Sequence, residues 1–192
     1  CAGAVGYRAL RLGKVVGGEN IGFSGFGASA HLVMKAVQHL YPTSKIFVFT
    51  RSERERAFAR ELGAFWTGDF DEKPLDSLHL IIDTTPAWKP VVMSLRNLER
   101  GGRLVINAIR KENRDQDFLL HLSYAEDLWM EKEVKSVANI TRADVHDFLQ
   151  LAAEMSLHPE IQIFPFEKAN QALIELKEGK IRGAKVLKVK KG

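Results

Sequence analysis

The chain has 192 residues, 45% of them hydrophobic, which is ample for one good core and short for two. Its net charge of +4 comes from 28 basic residues interleaved with 24 acidic ones, a mixed solvated surface that argues against a nucleic-acid partner. No apolar run approaches the roughly 20 residues needed to span a bilayer, no signal peptide is visible, and the one cysteine excludes an internal disulfide framework and suits a reducing, cytoplasmic setting.

The chain starts at Cys1, without a Met, directly inside the apolar stretch "CAGAVGYRALRLG". This reads as a fragment that lacks its N-terminal part. Ala2–Leu12 has the spacing of a helix stopped by Gly13. Asn20–Ser24 reads as a short strand and Gly25–Gly27 as a tight turn. Ala28–Leu40 is a helix with Leu32, Val33, Ala36, Val37 and Leu40 on one apolar stripe. Ile46–Phe49 is a second buried strand, and Ser52 caps a helix over Glu53–Leu62. Phe65 and Trp66 form a stub. "LHLIID" over Leu78–Asp83 is a buried strand, Pro90–Leu98 a helix, and Gly101-Gly102 leads into the strand "RLVINAI".

Lys111 to Trp129 is less regular. A strand over Glu133–Ala138 precedes a helix over Arg142–Met155, started by Thr141, with Asp144 placed as in a capping box. A strand over Ile161–Phe164, a helix over Glu167–Lys177 and a strand over Ala184–Val189 with a basic tail close the chain. The alternation of strands and helices predicts an α/β fold.

The segment "GFGASA" after the first strand carries the chemistry. Strand, G-x-G-x-x-G/A and helix together form the dinucleotide-binding fingerprint of a Rossmann-type, doubly wound parallel sheet. Gly25 allows the turn, and Gly27 lets backbone approach a pyrophosphate. Ala30 permits close helix–strand packing. The pyrophosphate would lie against Gly25, Phe26, Gly27, Ala28 and Ser29, where helix N–H groups and dipole favour negative charge. The competing possibility is a Gly-rich turn in an ordinary α/β protein.

An Asp or Glu usually stands at the tip of the second strand and accepts the ribose hydroxyls of NAD. Here the tip holds Thr50, Arg51 and Ser52. Two hydroxyl donors and a guanidinium suit a 2′-phosphate, with Arg54 and Arg56 in the next turn, so NADP(H) is expected over NAD(H). The alternative is that these arginines pair with Glu53, Glu55 and Glu61 on the surface. The six histidines form no metal set by their spacing, and Asp83 is a lone strand-end carboxylate suited to capping a turn.

With these features in place, "CAGAVGYRAL", "IGFSGFGASAH", "SVANITRADVHDFL" and "FEKANQALIELKEGKIRGAKVL" resemble the zinc-dependent alcohol dehydrogenases of the medium-chain dehydrogenase/reductase superfamily. The resemblance covers essentially the whole chain and corresponds to the latter part of such an enzyme. It implies a dinucleotide-binding domain over residues 1–140. Residues 141–192 would complete that domain and return towards an absent catalytic domain, so that the helix at Thr141–Met155 and the strands at Ile161–Phe164 and Ala184–Val189 expose apolar surface, pair with a second chain, or both. It implies Cys1 as the last protein ligand of a catalytic zinc.

The resemblance also sets Thr84 and Thr85 beside the riboses, and Asn107, Ala108, Ala138 and Asn139 along the nicotinamide. Arg182 would anchor a phosphate. Asn107 and Asn139 depart from the apolar or Gly residues common in the family. The implied reaction is hydride transfer between a small alcohol or aldehyde and the nicotinamide, in a homodimer. The alternatives are a cofactor-binding module without activity and a zinc-free quinone or enoyl reductase.

Overall fold

The computed structural model describes residues 1–179 and 181–189, so the basic tail expected at Lys190 and Lys191 lies outside the described residues. Apolar runs form the central strands because both of their faces are covered, as parallel sheets require. These strands are β1 (Ile21–Ser24), β2 (Ile46–Phe49) and β4 (Leu78–Asp83). With β3 (Trp66–Gly68), β5 (Leu98–Ile106) and β6 (Glu133–Ser136) they make a six-stranded sheet ordered β3-β2-β1-β4-β5-β6. Every pairing in it is parallel.

Side chains alternate between two layers. Phe23, Ile46, Val48, Leu80 and Ile82 pack with Val33, Met34 and Val37 of α2 (Ala28–Leu40), and with Ala9 and Leu10 of α1 (Ala2–Gly13). Phe47, Phe49, Ile81 and Leu104 face the other way, against Val91 and Leu95 of α4 (Lys89–Asn97). The helix α3 (Glu53–Glu61) buries Phe58 and Ala59 and is capped, as expected, by the Ser52 hydroxyl.

Two boundaries differ from expectation for physical reasons. Gly13 is the last helical residue, and Lys14 takes the left-handed conformation at φ 50. Glycine is needed at 13 for packing, since a Cβ there would lie 2.5 Å from Leu80 Cδ2. The strand β5 starts at Leu98, straight after α4, with a register shift against β4 before Arg103. The irregular stretch holds a short 3-10 helix at Gln116–His121 and a π-helical turn at Tyr124–Leu128.

After β6 the chain forms α5 (Arg142–Glu154), whose Thr141/Asp144 capping box is closed in both directions. Its partner is α1: Arg8 bonds Asp144 at 2.7 Å, and Phe148 packs on Tyr7. This helix is therefore partnered on one face, while Leu149 on it keeps the expected exposure at 60%. The strands β7 (Ile161–Pro165) and β8 (Ala184–Lys188) form a separate two-stranded sheet beside α6 (Ala169–Lys177). Here the apolar exposure expected of the two strands is present, with Ile161, Ile163 and Val186 at 45%, 63% and 40%, and α6 adds Leu173 at 62%. Among the described residues no helix is long and apolar enough to cross a membrane.

Candidate functional site

The sheet register aligns the carboxyl ends of the strands. Ser24 pairs with Phe49 and with Asp83, Asp83 with Ile106, and Ile106 with Ser136. The next residue of each strand still donates its N–H sideways: Gly25 to Phe49 O, Thr84 to Ser24 O, Asn107 to Asp83 O and Val137 to Ile106 O, at 2.7–2.9 Å. The turns after β1, β2, β4, β5 and β6 thus leave the sheet along one line. The chain winds outward in both directions from the gap between β1 and β4, the switch point where open α/β sheets bind ligands.

The two glycines of the loop answer to different demands. Gly25 has φ +80, and a Cβ there would lie 2.9 Å from Thr84 Oγ1, so the fold itself requires it. Gly27 is extended at φ −97, ψ −158, and a Cβ there would meet nothing within 4 Å. Nothing within the chain demands glycine at 27. That open space, beside the unpaired first N–H groups of the 13-residue α2, fits a phosphate. Phe26 is buried edge-on against Phe58, which pins the loop to α3. Ala28 opens α2, and the Ser29 hydroxyl donates to Ala2 O at 2.8 Å.

At the tip of β2 the arginines divide. Arg56 donates to Glu53 and to Thr50 O, both at 2.8 Å, and Arg60 also pairs with Glu53. Arg51 and Arg54 are exposed and make no ion pair among the described residues. Thr50 is buried, and its hydroxyl donates to Glu55 Oε2 at 2.5 Å. Sequence reasoning missed that an acid reaches this tip from the helix.

It also missed the clamp across the β4 and β5 loops. Asp83 is fully buried; Oδ1 accepts from Thr85 N and Oγ1, and Oδ2 takes an ion pair from Lys111 Nζ. Lys111, 10% exposed at its side chain, also donates to Thr85 O at 2.8 Å and Ala87 O at 3.0 Å. Four residues on, the Asp115 carboxylate accepts from Trp88 N and Lys89 N and caps α4 from outside. Burial would raise its pKa, but these N–H donors prevail and hold it below the usual value. The partial signal in sequence was the strand-end Asp83; nothing marked Lys111 as its partner.

Thr84 Oγ1 donates to Ser24 O at 3.1 Å, across the switch point. Asn107 Nδ2 donates to Ser29 Oγ at 3.3 Å, while Asn107 Oδ1 and Ser24 Oγ are buried without hydrogen-bond partners among the described residues. Unpaired polar atoms on this edge fit a ligand with its own donors and acceptors. Ala108 is half-buried, and Ala138 and Asn139 are exposed beyond β6. Arg182 lies 2.5 Å from Glu61 Oε2 and 4.4 Å from the centroid of Phe58, the ring that packs on Phe26 of the loop.

His31 is fully buried at Gly27 O, and burial lowers its pKa. Cys1 is a free, exposed thiol next to Ala2, so the Ala2–Ser29–Asn107 hydrogen bonds tie it to the β5 end of the row. Among the described residues no three His, Cys, Asp or Glu side chains could hold a metal ion together. The residues present do not fit a catalytic zinc, which needs three protein ligands.

No family model matches the sequence. A Mycobacterium tuberculosis protein named "Probable alcohol dehydrogenase AdhA" is 34% identical over 187 residues, 97% of this chain and 52% of that protein. The Helicobacter pylori protein CAD, solved in complex with NADP(H), superposes with TM-score 0.79 at 21% identity, covering 97% of this chain and 52% of the other. Acetophenone reductase from Geotrichum candidum, in complex with NAD, gives TM-score 0.75 at 17% identity, covering 97% and 53%. The likeness to these two structures is one of fold, and the chain spans about half the length of the relatives it matches.

Proposed function

This chain is a relative of the medium-chain alcohol dehydrogenases over about half their length, and from that premise we propose that it is the NADP(H)-binding domain of such an enzyme. The observation that carries the reading is Gly27: a glycine that the fold does not need, at the start of α2, on the carboxyl edge of the sheet. Residues 1–140 form the cofactor domain, and 141–192 complete it and lead to a catalytic domain. The bound nicotinamide accepts or gives the hydride exchanged with a small alcohol or aldehyde.

The chain's own residues bind and orient. The Gly25–Ser29 loop and α2 N–H groups hold the pyrophosphate. Arg51 takes the 2′-phosphate with Thr50 and Ser52 beside it, and Arg56 braces the tip through Thr50 O. Thr84, held by Ser24 O, and Thr85, held by Asp83 and Lys111, flank the riboses. Asn107, Ala108, Ala138 and Asn139 line the nicotinamide end. Arg182, paired with Glu61 in the unliganded chain, anchors a phosphate. Cys1 would contribute one thiolate to a zinc in the complete enzyme, and its other ligands would come from outside this chain. The enzyme is cytoplasmic and dimeric through the exposed β6 edge.

The test is a fluorescence titration of the chain with NADPH and NADH. NADPH should bind at least about tenfold tighter, roughly 1.4 kcal/mol, and Arg51→Asp should invert the order. Equal affinities would sink the NADP(H) preference, and no binding of either cofactor would sink the site.

A further inference from the structure

The sequence S-x-x-E at Ser52–Glu55 has the form of a capping box, in which the glutamate turns back to the N-cap N–H. Half of the box is present: Ser52 Oγ accepts from Glu55 N at 3.3 Å. The other half is not. The Ser52 N–H goes to Thr50 Oγ1, and the Glu55 carboxylate reaches past the cap to take the Thr50 hydroxyl at 2.5 Å. The chain's other box behaves in the ordinary way, with Asp144 Oδ2 accepting from Thr141 N at 2.7 Å. Glu55 is thus drawn out of its helix cap and held over the tip of β2 by a buried threonine. Its second oxygen, Oε1, has no hydrogen bond among the described residues.

We infer that Glu55 is a specificity-determining residue of the adenosine ribose subsite, the acid missing from the strand and supplied by the first turn of α3. The inference rests on the dinucleotide site proposed above. A carboxylate at this tip accepts the 2′- and 3′-hydroxyls of NAD(H) and repels a 2′-phosphate. Arg51, exposed and unpaired among the described residues, does the opposite. The tip carries both discriminators, so the preference for NADP(H) is limited by Glu55 and NAD(H) retains a foothold.

The experiment measures Kd for NADPH and NADH on the whole chain, with Glu55→Gln and, as a charge control, Glu53→Gln. Glu53 loses the same charge two residues away but, among the described residues, engages Arg56 and Arg60 rather than Thr50. Glu55→Gln keeps a side-chain acceptor for Thr50, and its capping contact is a backbone N–H, so the helix is preserved; far-UV circular dichroism checks this. The Kd ratio, NADH over NADPH, should rise about fivefold or more in Glu55→Gln, through tighter NADPH and weaker NADH. Glu53→Gln should move it by less than about twofold. An unchanged ratio in Glu55→Gln, or an equal rise in both variants, overturns the inference and leaves the dinucleotide site standing. Failure of the unsubstituted chain to bind either cofactor overturns both.

Discussion

Gly27→Val and Gly25→Val, two residues apart in one loop, should fail in different ways. At Gly27 the backbone is extended and a Cβ meets nothing within 4 Å, so valine fits the unliganded chain. Valine is a poorer N-cap than glycine, a cost of up to about 1 kcal/mol. The stiffer unfolded chain returns about 0.4–1 kcal/mol. The net effect on stability is near zero. The methyl groups then occupy the space where the pyrophosphate lies, and NADPH affinity should fall at least about 100-fold, roughly 2.7 kcal/mol.

At Gly25 the balance reverses. A side chain at φ +80 costs about 1–3 kcal/mol before any clash. The Cβ then sits 2.9 Å from Thr84 Oγ1 and 3.0 Å from Thr85 Cγ2. Urea denaturation followed by circular dichroism gives the first quantity and a fluorescence titration with NADPH the second. If Gly27→Val binds NADPH normally, or loses more stability than Gly25→Val, the assignment of the loop is wrong.

Lys111→Met should cost about 3–5 kcal/mol in the same denaturation assay, because it leaves the buried Asp83 carboxylate without its cation; a loss below about 1 kcal/mol would deny the clamp its role. Asp144 has its pKa lowered to about 2: burial opposes ionisation, but the Thr141 hydroxyl and N–H and the Arg8 guanidinium outweigh it. A depressed carboxylate stabilises the fold above its unfolded value and loses that contribution as pH falls towards about 2. Denaturation from pH 5 down to pH 2 should show about 1–2 kcal/mol that Asp144→Ala lacks, and parallel curves for the two chains would refute this. Finally, the chain should show no turnover of primary or secondary alcohols with NADP⁺, with or without zinc. Robust turnover, or one tightly held zinc per chain by metal analysis, would mean that it completes its metal site by another route.

What the sequence made legible was local. The runs "IFVF" and "LHLIID" announce buried strands because parallel strands are covered on both faces. The helical stripe was legible only in part: Val33, Ala36 and Val37 are buried, but Leu40 at its end is 39% exposed and Met34, off the stripe, is fully buried. The glycine loop is readable because its spacing between strand and helix is a local pattern, although the close neighbour of Gly25, Thr84, lies 59 residues on. The clamp was not legible. Lys111 finds Asp83 across 28 residues, and Asp115 caps a helix that starts 26 residues before it. Gly13 looked like a helix stop, yet its constraint comes from Leu80, far along the chain. Glu55 was the subtlest case. Its spacing to Ser52 is that of a capping box, and only the buried Thr50 hydroxyl decides where the carboxylate goes.

The most direct measurement is a crystal structure of this chain grown with NADPH. The account predicts a dinucleotide along the carboxyl edge, with its pyrophosphate over Gly27 against the N–H groups of Ala28 and Ser29, its 2′-phosphate at Arg51, and its nicotinamide towards Asn107. A dinucleotide bound elsewhere, such as on the β7–β8 sheet, or crystals in which saturating NADPH leaves that edge bare, would contradict it.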